Sequence, residues 1–108
     1  MIEIQQLPVL NDNYIYLIHD TESGDTAAVD PAVAEPVLSA LKKDNWQLRY
    51  IFNTHHHSDH VGGNLSIKEH TGCKIVGSAA DQKRIPGIDI TLSEGDTLKL
   101  GAHLILVI

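Results

Sequence analysis

The chain's chemistry concentrates in Thr54-His55-His56-His57-Ser58-Asp59-His60-Val61-Gly62-Gly63-Asn64, where four potential metal ligands, His55, His57, Asp59 and His60, fall within six positions. Residues i and i+2 of an extended segment point the same way, whereas on a helix they diverge by roughly 200°. His55 and His57 therefore share one ion only if this stretch is extended or looped. Asp59 and His60 follow in a different direction, so a second ion beside the first suits them better than one ion holding all four groups. Two adjacent ions that activate water are the equipment of a metal-dependent hydrolase. Mixed imidazole and carboxylate donors favour zinc, iron or manganese over calcium or copper. A closed structural zinc site would normally bring cysteines, and the chain has only Cys73. His56 and Ser58 alternate away from the first pair and read as spacer or hydrogen-bonding positions. Ser58 lacks the Gly-x-Ser-x-Gly elbow of a nucleophilic serine.

The elements that must position these ligands are legible around them. Tyr50-Ile51-Phe52 is aromatic and β-branched, which predicts a short buried strand running into the motif. The ligands then sit at a strand's C-terminal end, where open α/β sheets form their ligand crevice. Upstream, residues 2 to 10 and 14 to 19 predict two strands joined through Asn11-Asp12-Asn13, whose side chains cap turns. A further turn over residues 21 to 25 leads to a strand over 26 to 29, so an antiparallel meander opens the fold. Pro31 stops that strand. Val33, Val37 and Leu41 recur at i, i+4 and i+8, predicting an amphipathic helix that ends near Lys42-Lys43, with Pro36 tolerable only in its first turn. Downstream, residues 64 to 71 predict a second helix with Gly72 at its C′ position, and residues 74 to 76 resume a strand pattern. Residues 78 to 93 are weakly patterned around an Ile85-Pro86-Gly87 loop. Leu98 and Leu100 alternate with polar neighbours, Gly101-Ala102 turns, and the apolar run from Leu104 to Ile108 predicts a buried strand.

Other residues carry plainer readings. Gly62-Gly63 either lets the backbone pass close to an ion shell without a Cβ clash or is a flexible lead-in to the helix. Cys73 reads as a small packed side chain after a turn glycine. His19, His70 and His103 have no partners at ligand spacing and read as surface or strand histidines. Tyr14, Tyr16, Trp46 and Tyr50 read as core or half-exposed strand residues.

Composition narrows the function classes. A length of 108 residues with 43% apolar content supports one domain and not two. The net charge of −6 argues against a non-specific nucleic-acid binder. One cysteine excludes an internal disulfide. No run approaches the ~18 to 20 continuous apolar residues of a membrane span, and the N-terminus lacks a secretory pattern, so a cytoplasmic protein is expected.

Thr-His-x-His-x-Asp-His, from Thr54 to His60 with Gly62-Gly63 behind it, resembles the signature of the metallo-β-lactamase superfamily. Asp12-Asn13-Tyr14-Ile15-Tyr16, Ala28-Val29-Asp30-Pro31 and the motif from His55 to Asn64 are similar to glyoxalase II, the hydroxyacylglutathione hydrolases. The resemblance covers essentially the whole chain, the last third by pattern more than by motif. It implies an α/β (α+β) fold, the N-terminal half of an αββα sandwich, with residues 1 to 108 forming a single partial domain of the catalytic unit. In that family the chain continues beyond the position of Ile108 into a Thr-Pro-Gly-His segment with a further histidine ligand, a bridging aspartate, another histidine and a helical domain that binds glutathione. This piece alone is therefore expected to be inactive, and its substrate contacts are not assignable.

For the intact protein the resemblance implies hydrolysis of the thioester S-D-lactoylglutathione to D-lactate and glutathione, in methylglyoxal detoxification. It implies two divalent metal ions, zinc foremost, with iron or manganese as alternatives. His55 and His57 would hold one ion and Asp59 and His60 the other, Asp59 also orienting the nucleophile. The only partner implied is the small-molecule substrate, with no nucleic acid or membrane, and a monomer is expected. Asp30 has two open readings: it accepts the free ring N–H of a metal-bound histidine, the place the resemblance gives it, or it caps the following helix. Two rival functions also stay open. One is a mononuclear-iron sulfur dioxygenase acting on glutathione persulfide, which would consume oxygen; the other is a non-catalytic metal-binding fragment. A β-lactamase is disfavoured by the glyoxalase-like flanks and the missing signal peptide.

Overall fold

In chain order, the strands and helices of the computed structural model are β1 (Ile2–Val9), β2 (Asn13–Asp20), β3 (Asp25–Val29), α1 (Glu35–Asp44), β4 (Gln47–Phe52), α2 (Asn64–Thr71), β5 (Lys74–Ser78), β6 (Ile90–Leu92), β7 (Thr97–Leu100) and β8 (His103–Leu106). The structure describes residues 1–9, 13–54, 61–93, 95–101 and 103–106. The first six strands form one sheet in sequence order, and β7 and β8 form a second, two-stranded sheet. The expected meander is present: β1 pairs antiparallel with β2, Ile2 against Asp20 through Val9 against Asn13, and β2 pairs antiparallel with β3. From β3 onward the pairing is parallel, β4 on β3, β5 on β4 and β6 on β5. Parallel neighbours require crossovers, and α1 and α2 supply the first two.

Both helices pack on the same face of the sheet. Val37, Ala40 and Leu41 of α1 and Ile67 of α2 share one core with Ile15, Leu17, Ala28, Leu48, Ile51 and Ile75. The alternation of strand side chains sends Ala27, Tyr50 and Val76 to the other face, where Leu98 and Leu100 of β7 join them. The molecule is thus a helix layer, a mixed sheet and the start of a second sheet layer, the α/β arrangement expected from the sequence. Among the described residues no helix is long and apolar enough to cross a membrane.

Helix α1 starts at Glu35, two residues after the periodic Val33, which packs on the core from the preceding loop. Pro36 lies in the first turn, where its missing N–H costs nothing. The helix ends on Asn45 in the left-handed conformation (φ 54°), and the next N–H, of Trp46, donates to the Leu41 carbonyl at 2.9 Å. Helix α2 runs from Asn64 to Thr71 and stops on Gly72 at φ 71°, as the sequence predicts. Strand β6 lies inside the stretch that looked unpatterned. It is three residues long, and Asp89 sets its place: its N–H donates to the Ile75 carbonyl at 2.8 Å, and its Oδ2 accepts the Ile75 N–H at 3.0 Å. Lys68 Nζ of α2 donates to both Asp89 carboxylate oxygens at 2.8 Å and to the Gly87 carbonyl at 3.1 Å.

Candidate metal centre

His55, His57, Asp59 and His60 lie outside the described residues, as do His56 and Ser58. What the structure describes is the frame on either side of them. Strands β3 and β4 end side by side, level with Val76 of β5: the Asp30 N–H donates to the Phe52 carbonyl and the Asn53 N–H to the Val76 carbonyl, each at 2.9 Å. The motif therefore leaves from the C-terminal edge of the parallel strands, where an α/β sheet forms its crevice.

Asp30 follows β3 in the left-handed region at φ 51°, a conformation that aspartate tolerates better than most residues but still at a cost. Its carboxylate faces Thr54, the residue immediately before His55. The Thr54 N–H donates to Asp30 Oδ1 at 2.7 Å, and the Thr54 hydroxyl donates to Asp30 Oδ2. Each charge-assisted bond of this kind contributes about 1.5–3 kcal/mol, enough to hold the strained backbone. The capping reading of Asp30 is corrected: α1 has Ala34 at its N-cap with no side-chain cap bond, and both Asp30 oxygens serve Thr54.

On the far side of the motif, the Gly63 N–H donates to the Pro31 carbonyl at 2.8 Å. A Cβ at Gly63 would stand 2.8 Å from Pro31 O, 2.8 Å from the Val33 carbonyl carbon and 2.9 Å from Ala34 N. The close approach at Gly63 is thus to the backbone of residues 31 to 34. It is no mere flexible lead-in, because the glycine lets the start of α2 lie directly on the loop after Asp30.

Asn53 and Asn64 form a buried pair across the base of the motif. Asn64 Nδ2 donates to Asn53 Oδ1 at 2.6 Å and to the Pro86 carbonyl at 3.3 Å. Asn64 Oδ1 is buried with no hydrogen-bond partner among the described residues, a situation that costs about 1–3 kcal/mol. Sequence reasoning passed over both residues as positioning groups. The available signals were a polar residue directly after an apolar strand and an asparagine closing the glycine pair.

The remaining histidines take other roles. His19 of β2 is buried; its Nδ1 lies 2.7 Å from Thr26 Oγ1, and its ring stacks on Trp46 at 4.1 Å. Trp46 occupies the turn between α1 and β4 and not a strand. His70 is a surface residue whose Nδ1 donates to the Ser66 carbonyl at 2.8 Å, and the side chain of His103 lies outside the described residues. Cys73 is packed as expected, and burial pushes its thiol pKa up. Two open grooves of about 790 and 560 Å³ meet at Trp46 and the N-terminal ends of the strands, away from the Asp30–Thr54 frame. Among the described residues no three His, Cys, Asp or Glu side chains are gathered as a metal site. The donor set left for an ion is that of the motif itself, imidazoles with one carboxylate, which fits a divalent ion of the zinc, iron or manganese type.

Residues 10–94 match the model of the Metallo-beta-lactamase superfamily. The hydroxyacylglutathione hydrolase of Methylococcus capsulatus is 60% identical over 102 residues, covering 94% of this chain and 40% of that protein. The hydroxyacylglutathione hydrolase of Rhodospirillum rubrum is 51% identical over 100 residues, covering 93% and 39%. The chain spans about 40% of the length of the curated relatives it matches. The crystal structure of ETHE1 from Myxococcus xanthus superposes with a TM-score of 0.80 at 26% identity, covering 94% of this chain and 45% of that one. A mixed sheet with its helices on one face, a histidine and aspartate motif leaving the ends of its parallel strands, and a family match over most of the length together place the chain in the metallo-β-lactamase superfamily.

Proposed function

We propose that the protein carrying this chain is a hydroxyacylglutathione hydrolase, which cleaves the thioester S-D-lactoylglutathione to D-lactate and glutathione. The observation that carries the reading is the 60% identity to the Methylococcus capsulatus hydroxyacylglutathione hydrolase over 94% of the chain. The motif's placement at the edge of the parallel strands supports it. In this reading His55 and His57 hold one divalent ion and Asp59 and His60 a second, zinc in both positions, and the chain is one part of the catalytic domain of a cytoplasmic monomer. Such ions supply Lewis acidity and water activation at neutral pH.

The chain's own residues prepare that centre. Asp30 accepts both donors of Thr54 and so sets the backbone from which His55 departs. We assign it the further role of accepting a ring N–H from a motif histidine, which would set that ring's tautomer and orientation. Gly63, held on Pro31, sets where the chain returns after His60. Asp59 combines a ligand role with orientation of the attacking water.

Single alanine replacements of His55, His57, Asp59 and His60 in the intact protein test the assignment, with bound metal and S-D-lactoylglutathione hydrolysis measured on the same samples. Each replacement is expected to lower both. Variants that keep wild-type metal content and turnover would sink the assignment, and oxygen uptake with glutathione persulfide in place of thioester cleavage would shift the reading to a sulfur dioxygenase.

A further inference from the structure

Asn53, directly after β4, and Asn64, at the first position of α2, flank the segment that carries the candidate ligands. Both are buried, at 7% and 0% exposure, and they are joined by the 2.6 Å bond from Asn64 Nδ2 to Asn53 Oδ1. The pair lies eleven residues apart in sequence, so this one bond closes the base of the whole motif. Each end is tied to a different strand or loop: the Asn53 N–H to β5 through Val76 O, and the Asn64 amide to the 85–87 loop through Pro86 O. Asn64 Oδ1 nevertheless has no partner among the described residues. An apolar side chain of similar size would fill the same space without an unmet acceptor. Burial alone therefore does not account for an amide here, whereas the cross-loop bond does.

We propose that the Asn53–Asn64 pair is a positioning clamp for metal binding. It ties the chain before the 55–60 segment to the chain after it, so that less conformational freedom is left to lose when an ion binds. Neither asparagine is a ligand. The proposal rests on the metal reading of the motif.

The test uses the intact protein freed of metal, with Zn²⁺ alone as the probe. Zinc affinity is measured by chelator competition and melting temperature with and without zinc, for wild type, Asn53→Ala, Asn64→Ala and the double variant. Each single variant is expected to bind zinc about 10-fold more weakly, and the double variant no more weakly than the worse single one, since the bond between the two asparagines is lost in all three. A purely structural role would lower the metal-free and zinc-loaded melting temperatures equally. The clamp lowers the loaded one more, so the zinc-induced rise shrinks. Wild-type zinc affinity in the variants, an unchanged zinc-induced rise, or fully additive losses in the double variant would overturn the clamp while leaving the hydrolase reading intact. Wild-type protein that binds no zinc would overturn both. Asn53→Ala removes the same bond should Asn64→Ala fail to fold, and failure of both to fold would mark the pair as a requirement of the fold and end the proposal.

Discussion

Replacing Gly63 with alanine is the most direct challenge to the frame described for the motif. Gly63 has φ −93° and ψ −3°, a conformation that any residue adopts. At such a position glycine to alanine ordinarily stabilises by about 0.4–1 kcal/mol, because the unfolded chain has fewer states to lose. The surroundings reverse that sign. The new Cβ would lie 2.8 Å from Pro31 O, 2.8 Å from the Val33 carbonyl carbon and 2.9 Å from Ala34 N, where ordinary contact begins at 3.4 Å. The two backbones must part by the difference, 3.4 − 2.8 = 0.6 Å, and every atom in the way belongs to a peptide unit with no rotamer to yield. Overpacking of this kind costs about 1–3 kcal/mol. The 2.8 Å bond from the Gly63 N–H to Pro31 O is stretched in the same movement, forfeiting part of about 0.5–1.5 kcal/mol. After the entropic gain is subtracted, Gly63→Ala is expected to lose about 1–3 kcal/mol. Urea unfolding of the metal-free intact protein, followed by circular dichroism at unchanged m-value, reads this as a lower midpoint. A midpoint equal to or above wild type would refute the claim that α2 is seated on the 31–34 backbone.

Asp30→Asn leaves one acceptor oxygen for the two Thr54 donors and is expected to lose about 1.5–3 kcal/mol, while Thr54→Val loses about 1 kcal/mol; the double variant should lose less than the sum, and strict additivity in urea midpoints would show that the two side chains are not coupled. The Lys68 ammonium, helped by the Ile75 N–H, holds the Asp89 carboxyl below its ordinary 3.8. Because the folded pKa is the lower one, Asp89 contributes its stability above about pH 3.8 and loses it as pH falls through the folded value. Asp89→Asn should therefore lower the melting temperature at neutral pH by an amount that fades toward acid, and a constant difference from pH 7 to pH 2 would contradict the pairing. Cys73, 2% exposed with its thiol pKa raised by burial, should alkylate only as the protein opens, so labelling in native buffer at the rate of a free thiol would contradict its packing.

Much of the fold was legible because the relevant signals are local. Val37 and Leu41 bury on α1 as their spacing requires, Gly72 ends α2 because it reaches positive φ without a Cβ penalty, and the alternation through Tyr50-Ile51-Phe52 divides β4 between two faces. The sheet's change from antiparallel to parallel at β3 was less visible, since it follows from where the crossover helices pack. Strand β6 escaped notice because three residues carry too little alternation, and its register is set by Asp89 against Ile75 and Lys68 instead. His19 looked like any strand histidine, yet its burial depends on Trp46 arriving from the turn after α1.

The sequence by itself determined which donors the candidate site offers, because donor type and spacing between His55 and His60 are properties of adjacent residues. Only the tertiary structure decided how that segment is held. Asp30 meets Thr54 across a separation of 24 residues, Asn64 meets Pro86 across 22, and Gly63 meets the backbone of Pro31. Such partners are chosen by the packing of strands and helices against one another, and no periodicity or local φ preference specifies them. That is why Asp30 could be read as a helix cap, and Gly63 as a flexible lead-in, until the neighbours that occupy them were seen.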